Sequence, residues 1–109
     1  MPEHRVCTIA DVAPGTVQGF EVITENSTPL PVAVIHSQQG NWFAVHNQCT
    51  HGRVKLSDGW VEDESIECSQ HGAAFDLATG EVMTLPASQP VTIYPVRVDG
   101  ENVYITVNS

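Results

Sequence analysis

The chain has 109 residues, 41% of them hydrophobic and 6% aromatic, with 13 Asp and Glu against 4 Lys and Arg, a formal net charge of −9. This length sets the expectation of one domain, 1–109, with a single modest core, and the charge argues against nucleic acid or anionic membrane surfaces, which attract lysine and arginine. No apolar run approaches the ~20 residues that a membrane helix needs, and the opening MPEHRVCTIADVAPG lacks the basic-then-apolar layout of a secretory signal, so the expected compartment is the cytoplasm.

In chain order, RVCTIA (5–10) reads as strand-like, with Cys7 as a small buried hydrophobe. A short helical turn around IADVAPG is the one helix candidate, with Asp11 available as its cap. Strand patterns follow at 17–23 (VQGFEVI), 31–37 (PVAVIHS) and 42–47 (WFAVHN), short and rich in Val, Ile and Thr. From 48 to about 90 the strands shorten and the chemically active side chains gather. Two further strands, 92–98 (TIYPVRV) and 102–107 (NVYITV), close the chain, and Asp99-Gly100 between them signals a tight hairpin. Alternation in the last strand turns Val103, Ile105 and Val107 to one face, while Pro95 points to an edge or a bulge. Pro14-Gly15, Gln39-Gly40-Asn41 and Thr79-Gly80 punctuate the rest, and no segment sustains a helical period. The fold class is all-β, with loops on a rigid scaffold carrying the site.

Three cysteines without an export signal do not make a disulfide framework. Two of them pair with histidines: Cys49-Thr-His51, then, after sixteen intervening residues, Cys68-Ser-Gln-His71. Two metal groups take such a quartet. Structural zinc favours tetrahedral Cys2His2 sites; a Rieske-type cluster has two His replacing two Cys on one of two irons. Common zinc fingers segregate a Cys pair from a His pair, whereas here each segment contributes one Cys and one His. That order suits a two-iron group held between two loops, with Cys49 and Cys68 on the inner iron and His51 and His71 on the outer. Gly52 and Gly72 follow the two histidines in the same place and allow a close backbone approach.

CTHG followed by CSQHG resembles the motif of Rieske 2Fe–2S proteins, and the downstream AAFDLATGEVMTLPASQPVTIYPV is similar to that family's second loop, short hairpin and covering proline loop. The resemblance spans essentially the whole chain. It implies an antiparallel β-sandwich with a small loop-built cluster-binding subdomain at approximately 48–90, and one 2Fe–2S cluster. By the same resemblance Cys49 and Cys68 bind the buried iron as thiolates, His51 and His71 bind the outer iron through Nδ1, and Pro86 belongs to the loop over the cluster.

Within the family, respiratory members carry an extra Cys in each loop and a Ser after the second His-Gly; this chain has neither, with Ala73 in the Ser position. Two neutral imidazoles leave the oxidised cluster formally uncharged, which places such centres at roughly −150 to +300 mV, above all-thiolate clusters. A missing hydroxyl donor and an acidic surround both lower the potential, so the lower part of that span is expected. After His71 there is no further histidine for a mononuclear iron, and His4, His36 and His46 all precede the motif. The chain therefore reads as an electron carrier and not as an enzyme. It most resembles the ferredoxin component of bacterial aromatic-ring-hydroxylating dioxygenases of the carbazole, biphenyl and naphthalene type. That implies an NADH-dependent FAD ferredoxin reductase and a terminal oxygenase as partners, and a monomer. The alternatives are a Rieske small subunit of an assimilatory nitrite reductase and a zinc-stabilised non-redox module. Trp42 and Trp60 are expected to be packing residues, His46 a strand residue near Cys49, and Asp58, Glu62, Asp63 and Glu64 an acidic run able to steer a basic partner.

Overall fold

The computed structural model describes residues 3–23, 27, 29–48, 55–62, 64–68, 74–84 and 90–107. Among them are eleven strands: β1 (Glu3–Thr8), β2 (Thr16–Ile23), β3 (Pro29–His36), β4 (Trp42–His46), β5 (Trp60–Glu62), β6 (Ser65–Glu67), β7 (Ala74–Asp76), β8 (Val82–Thr84), β9 (Ile93–Tyr94), β10 (Val96–Asp99) and β11 (Asn102–Thr106). They form three antiparallel sheets, ordered β1-β11-β10, β2-β3-β4-β9 and β5-β6-β7-β8. The all-β expectation holds.

The apolar run of β3 does not alternate with polar residues because both its faces are covered. Val32 and Val34 join Ala44 of β4 in one core with Cys7, Val103 and Ile105 of the β1-β11-β10 sheet. Ala33 and Ile35 point the other way and join Val45 in a second core with Ile66, Phe75 and Leu77. The β2-β3-β4-β9 sheet is thus a middle layer. Each Val or Ile side chain buried there from full exposure contributes about 1.5–3 kcal/mol, and β3 supplies Val32 and Val34 to one core and Ile35 to the other, so it anchors both halves at once.

Pro95 stands between β9 and β10, where the chain passes from the middle sheet to the β1-β11-β10 sheet. Lacking an N–H, it fits the gap between two edge strands, and its carbonyl accepts from Thr106 N–H at 3.0 Å. Asp99 and Asn102 pair across the β10–β11 hairpin, with Gly100 at φ 63°. Val103, Ile105 and Val107 are buried on one face, as their alternation indicates.

The short helical turn expected after β1 is present as a three-residue 3-10 turn, Ile9–Asp11, and Asp11, its third residue, caps it in a capping box that starts at Thr8. Its carboxylate reaches back to accept from Thr8 N–H (2.9 Å) and Thr8 Oγ1 (3.0 Å). Trp42 packs as expected, stacked on His36 with ring centroids 4.1 Å apart. Trp60 does not: it is 56% exposed, because alternation along β5 gives the inward position to Val61, which packs against the second core.

Candidate metal centre

Of the four sequence-predicted ligands, Cys68 is described; Cys49, His51 and His71 lie outside the described residues, as do Gly52, Asp63, Gly72, Ala73 and Pro86. Cys68 follows the last residue of β6 and is 0% exposed, in the core cluster with Leu56, Ile66, Phe75, Leu77 and Val91.

Strand register defines what surrounds it. Trp60 pairs with Glu67, Glu67 with Ala74, and Ala74 with Thr84. This row is one end of the β5-β6-β7-β8 sheet: β5 begins there, β6 ends, β7 begins and β8 ends. The three stretches that the sequence reading singles out join the described chain at this one end. Positions 49–54 lead into it through a 3-10 turn, Leu56–Asp58, just before β5. Positions 69–73 connect the paired ends of β6 and β7, and positions 85–89 follow β8. The row Glu62, Ser65 and Asp76 marks the opposite end.

The 3-10 turn is held tightly to that end. Gly59 caps it, donating its N–H to the Leu56 carbonyl at 3.0 Å. A Cβ on Gly59 would stand 1.9 Å from the Glu67 carbonyl oxygen, so only glycine lets the turn lie against the backbone next to Cys68. Leu56 is fully buried in the same cluster as Cys68. Ahead of Cys49, Asn47 is buried and hydrogen-bonds Ser57 twice, through its Oδ1 and its Nδ2. Asn47, Ser57 and Gly59 escape the sequence reading: each is an ordinary loop residue by type, and the only signal was that they flank the motif.

The outward face of the β5-β6-β7-β8 sheet is acidic, lining a cleft of about 430 Å³ with Glu62, Glu64, Glu67, Asp76 and the exposed Met83. Glu64 accepts a hydrogen bond from Asn41 Nδ2. Two of the few cations are held elsewhere, on the β1-β11-β10 sheet. Arg97 pairs with Glu3 (2.7 Å) and Asp99 (3.3 Å) and lies over the Tyr104 ring, and Arg5 donates to Asn102. The hydrogen bond and charge of Arg97 hold the Glu3 carboxyl below the usual carboxylate range. Cys7, in the core away from Cys68, is a neutral thiol whose pKa burial pushes up to about 11, with Asp11 adding to the shift. It takes no part in the centre.

These residues fit an iron–sulfur group. A soft sulfur donor at Cys68, enclosed by apolar side chains, is shielded from water, and shielding of this kind controls the potential of such a centre. Carboxylates on the outer sheet face add negative charge without supplying hard oxygen ligands from inside the core.

Comparison with known proteins agrees. Residues 3–95 match the model of the Rieske 2Fe-2S domain. The 3-phenylpropionate/cinnamic acid dioxygenase ferredoxin subunit of Photorhabdus laumondii is 38% identical over 109 residues, 99% of this chain and 97% of its own. Among solved structures, the Sphingomonas yanoikuyae B1 ferredoxin superposes with a TM-score of 0.83 at 33% identity, covering 98% of this chain and all of that one. A chain in the complex of reduced oxygenase and oxidized ferredoxin in carbazole 1,9a-dioxygenase gives 0.79 at 31% identity, covering 94% and 91%. A nitrite reductase small subunit from Mycobacterium tuberculosis, 21% identical with a TM-score of 0.81 over 99% and 96% of the two chains, shares the fold alone. With a buried cysteine at the sheet end where both motif segments attach, and with the family model matched over residues 3–95, the chain belongs to the Rieske 2Fe-2S domain family.

Proposed function

We propose that this chain is the ferredoxin of an aromatic-ring-hydroxylating dioxygenase system. It takes single electrons from an NADH-dependent FAD reductase and delivers them to the terminal oxygenase. In this reading 1–109 is one Rieske domain acting as a cytoplasmic monomer, with its cluster-binding subdomain at approximately 48–90. No helix among the described residues is long and apolar enough to cross a membrane.

Cys49, His51, Cys68 and His71 would hold the cluster, Cys68 from inside the core and the histidines toward solvent. The bound group supplies a one-electron couple; the chain holds it, keeps water from its inner side and offers a surface to partners. The observation that carries the reading is the shared sheet end: the segments containing both motif halves join the described chain beside the buried Cys68. Its relatives' dioxygenase names supply the system.

The test is an EPR-monitored redox titration of anaerobically purified protein. A rhombic signal, acid-labile sulfide and a midpoint in the lower half of the roughly −150 to +300 mV span are expected. Cys49→Ala should hold no such centre. A colourless protein with stoichiometric zinc would sink the reading and leave a structural clasp. A reduced protein that cannot pass electrons to a ring-hydroxylating oxygenase would remove the proposed partner while keeping the cluster.

A further inference from the structure

We infer that Asn47 is a positioning residue for the cluster: it closes the segment that carries Cys49 and His51 by gripping Ser57 on the far side. The inference rests on the ferredoxin reading for what that segment holds, and on the structure for the grip.

Asn47 is one of two buried polar residues among those described, at 6% exposure; the other, Ser37, serves the turn before β4. Both ends of the Asn47 amide are used on one residue. Ser57 N–H donates to Asn47 Oδ1 at 2.8 Å, and Asn47 Nδ2 donates to Ser57 Oγ at 2.9 Å. Asn47 N–H itself donates to the Pro31 carbonyl at 3.1 Å, which fastens the grip to the middle sheet. The two residues bracket positions 48–56. No third cysteine is near enough in sequence to staple this loop covalently, since Cys7 is enclosed in the other core.

β2 makes room for this pairing. A Cβ on Gly19 would fall 2.8 Å from Asn47 Nδ2 and 2.9 Å from Ser57 Oγ, so any larger residue there pushes the two apart. On its other side, the turn bearing Ser57 continues into Gly59, packed on the Glu67 carbonyl beside Cys68. One short piece of chain, 57–59, therefore touches the supports of both motif halves. Breaking the Asn47 grip frees the first half from the second without cutting into either core.

The test uses the holoprotein and measures the rate of iron loss to a chelator from its visible absorbance, with EPR of the reduced form. Asn47→Ala should lose iron about tenfold faster than wild type, the scale typical of residues that orient metal ligands, and should show altered g values. Ser57→Ala, which keeps the backbone N–H bond, should fall between. Gly19→Ala should reproduce the effect with both Asn47 and Ser57 retained, because its Cβ presses directly on their contact, and combining it with Asn47→Ala should add little, because both act on one contact. Gly19→Ala also carries the test if Asn47→Ala does not accumulate. Val103→Ala, in the other core, serves as a control for general loss of stability. It should lower the unfolding temperature while leaving the EPR signature and the rate of iron loss close to wild type. Wild-type iron retention in Asn47→Ala, or equal acceleration in Val103→Ala, would overturn the role. Wild-type protein lacking iron and sulfide would instead overturn the ferredoxin reading beneath it.

Discussion

Cys7 shows how one buried thiol couples folding to pH. Val12, Val22 and Val103 belong to the core that encloses it, and burial raises its pKa from 9.0 to about 11. A raised acid pKa means that the folded state holds the proton more tightly than the unfolded state. The stability linked to Cys7 is therefore complete below about pH 9 and is lost as pH rises toward 11. Tyr94, also raised by burial, acts in the same direction. Denaturant unfolding followed from pH 8 upward should show this alkaline decline, and Cys7→Ala should flatten it while Tyr94 keeps its share. An unchanged slope in Cys7→Ala would refute the assignment. At this scale the sequence was legible for Cys7, Trp42 and Val103, whose neighbours along the strand set their burial. It misled for Trp60, because residue type says "core" while the pleat of β5 turns that position to solvent.

At the scale of elements, turns that share a glycine at positive φ differ in what surrounds them. Gly80 and Gly100 both have positive φ, 80° and 63°. A Cβ on Gly100 would meet nothing within 4 Å, whereas one on Gly80 would stand 2.3 Å from the Val91 carbonyl oxygen. Gly80 also donates its N–H to Asp76 and accepts from Val91 N–H at 2.9 Å, tying the turn between β7 and β8 to the chain leading into β9. Gly100→Ala should cost about 1–2 kcal/mol, the price of the left-handed region for an L-residue. Gly80→Ala should cost roughly 3 kcal/mol or more, since a backbone atom must also move. Thermal unfolding of both variants separates the cases; equal shifts would mean that the Val91 contact is unimportant. Both glycines announce turns in the sequence, but only folding brings Val91 beside one of them. The four three-residue strands β5 to β8 are likewise too short to carry a clear alternation, and their pairing depends on the neighbouring strands more than on their own residues.

For the whole molecule, the middle sheet divides the work. Ile35 and Ile105 are both fully buried, one in the core shared with Cys68 and the other in the core shared with Cys7. Ile35→Ala and Ile105→Ala should each cost about 2–5 kcal/mol. Only Ile35→Ala should also hasten cluster loss below the unfolding temperature, as its cavity opens in the layer that holds Cys68. Parallel melting and bleaching curves for the two variants check this; equal bleaching would mean that the two layers act as one.

The sequence by itself determined the strand-rich class, the hairpin at Asp99-Gly100, the burial of the last strand's alternate residues and the identity of four candidate ligands. These follow from local backbone preference, side-chain period and donor chemistry, all of which act over a few residues. Tertiary structure alone decided that β3 faces two cores, that both motif segments attach at one end of one sheet, and that Asn47 meets Ser57 over Gly19. Those depend on contacts between residues far apart in the chain, where loop closure and packing select partners that no short stretch encodes.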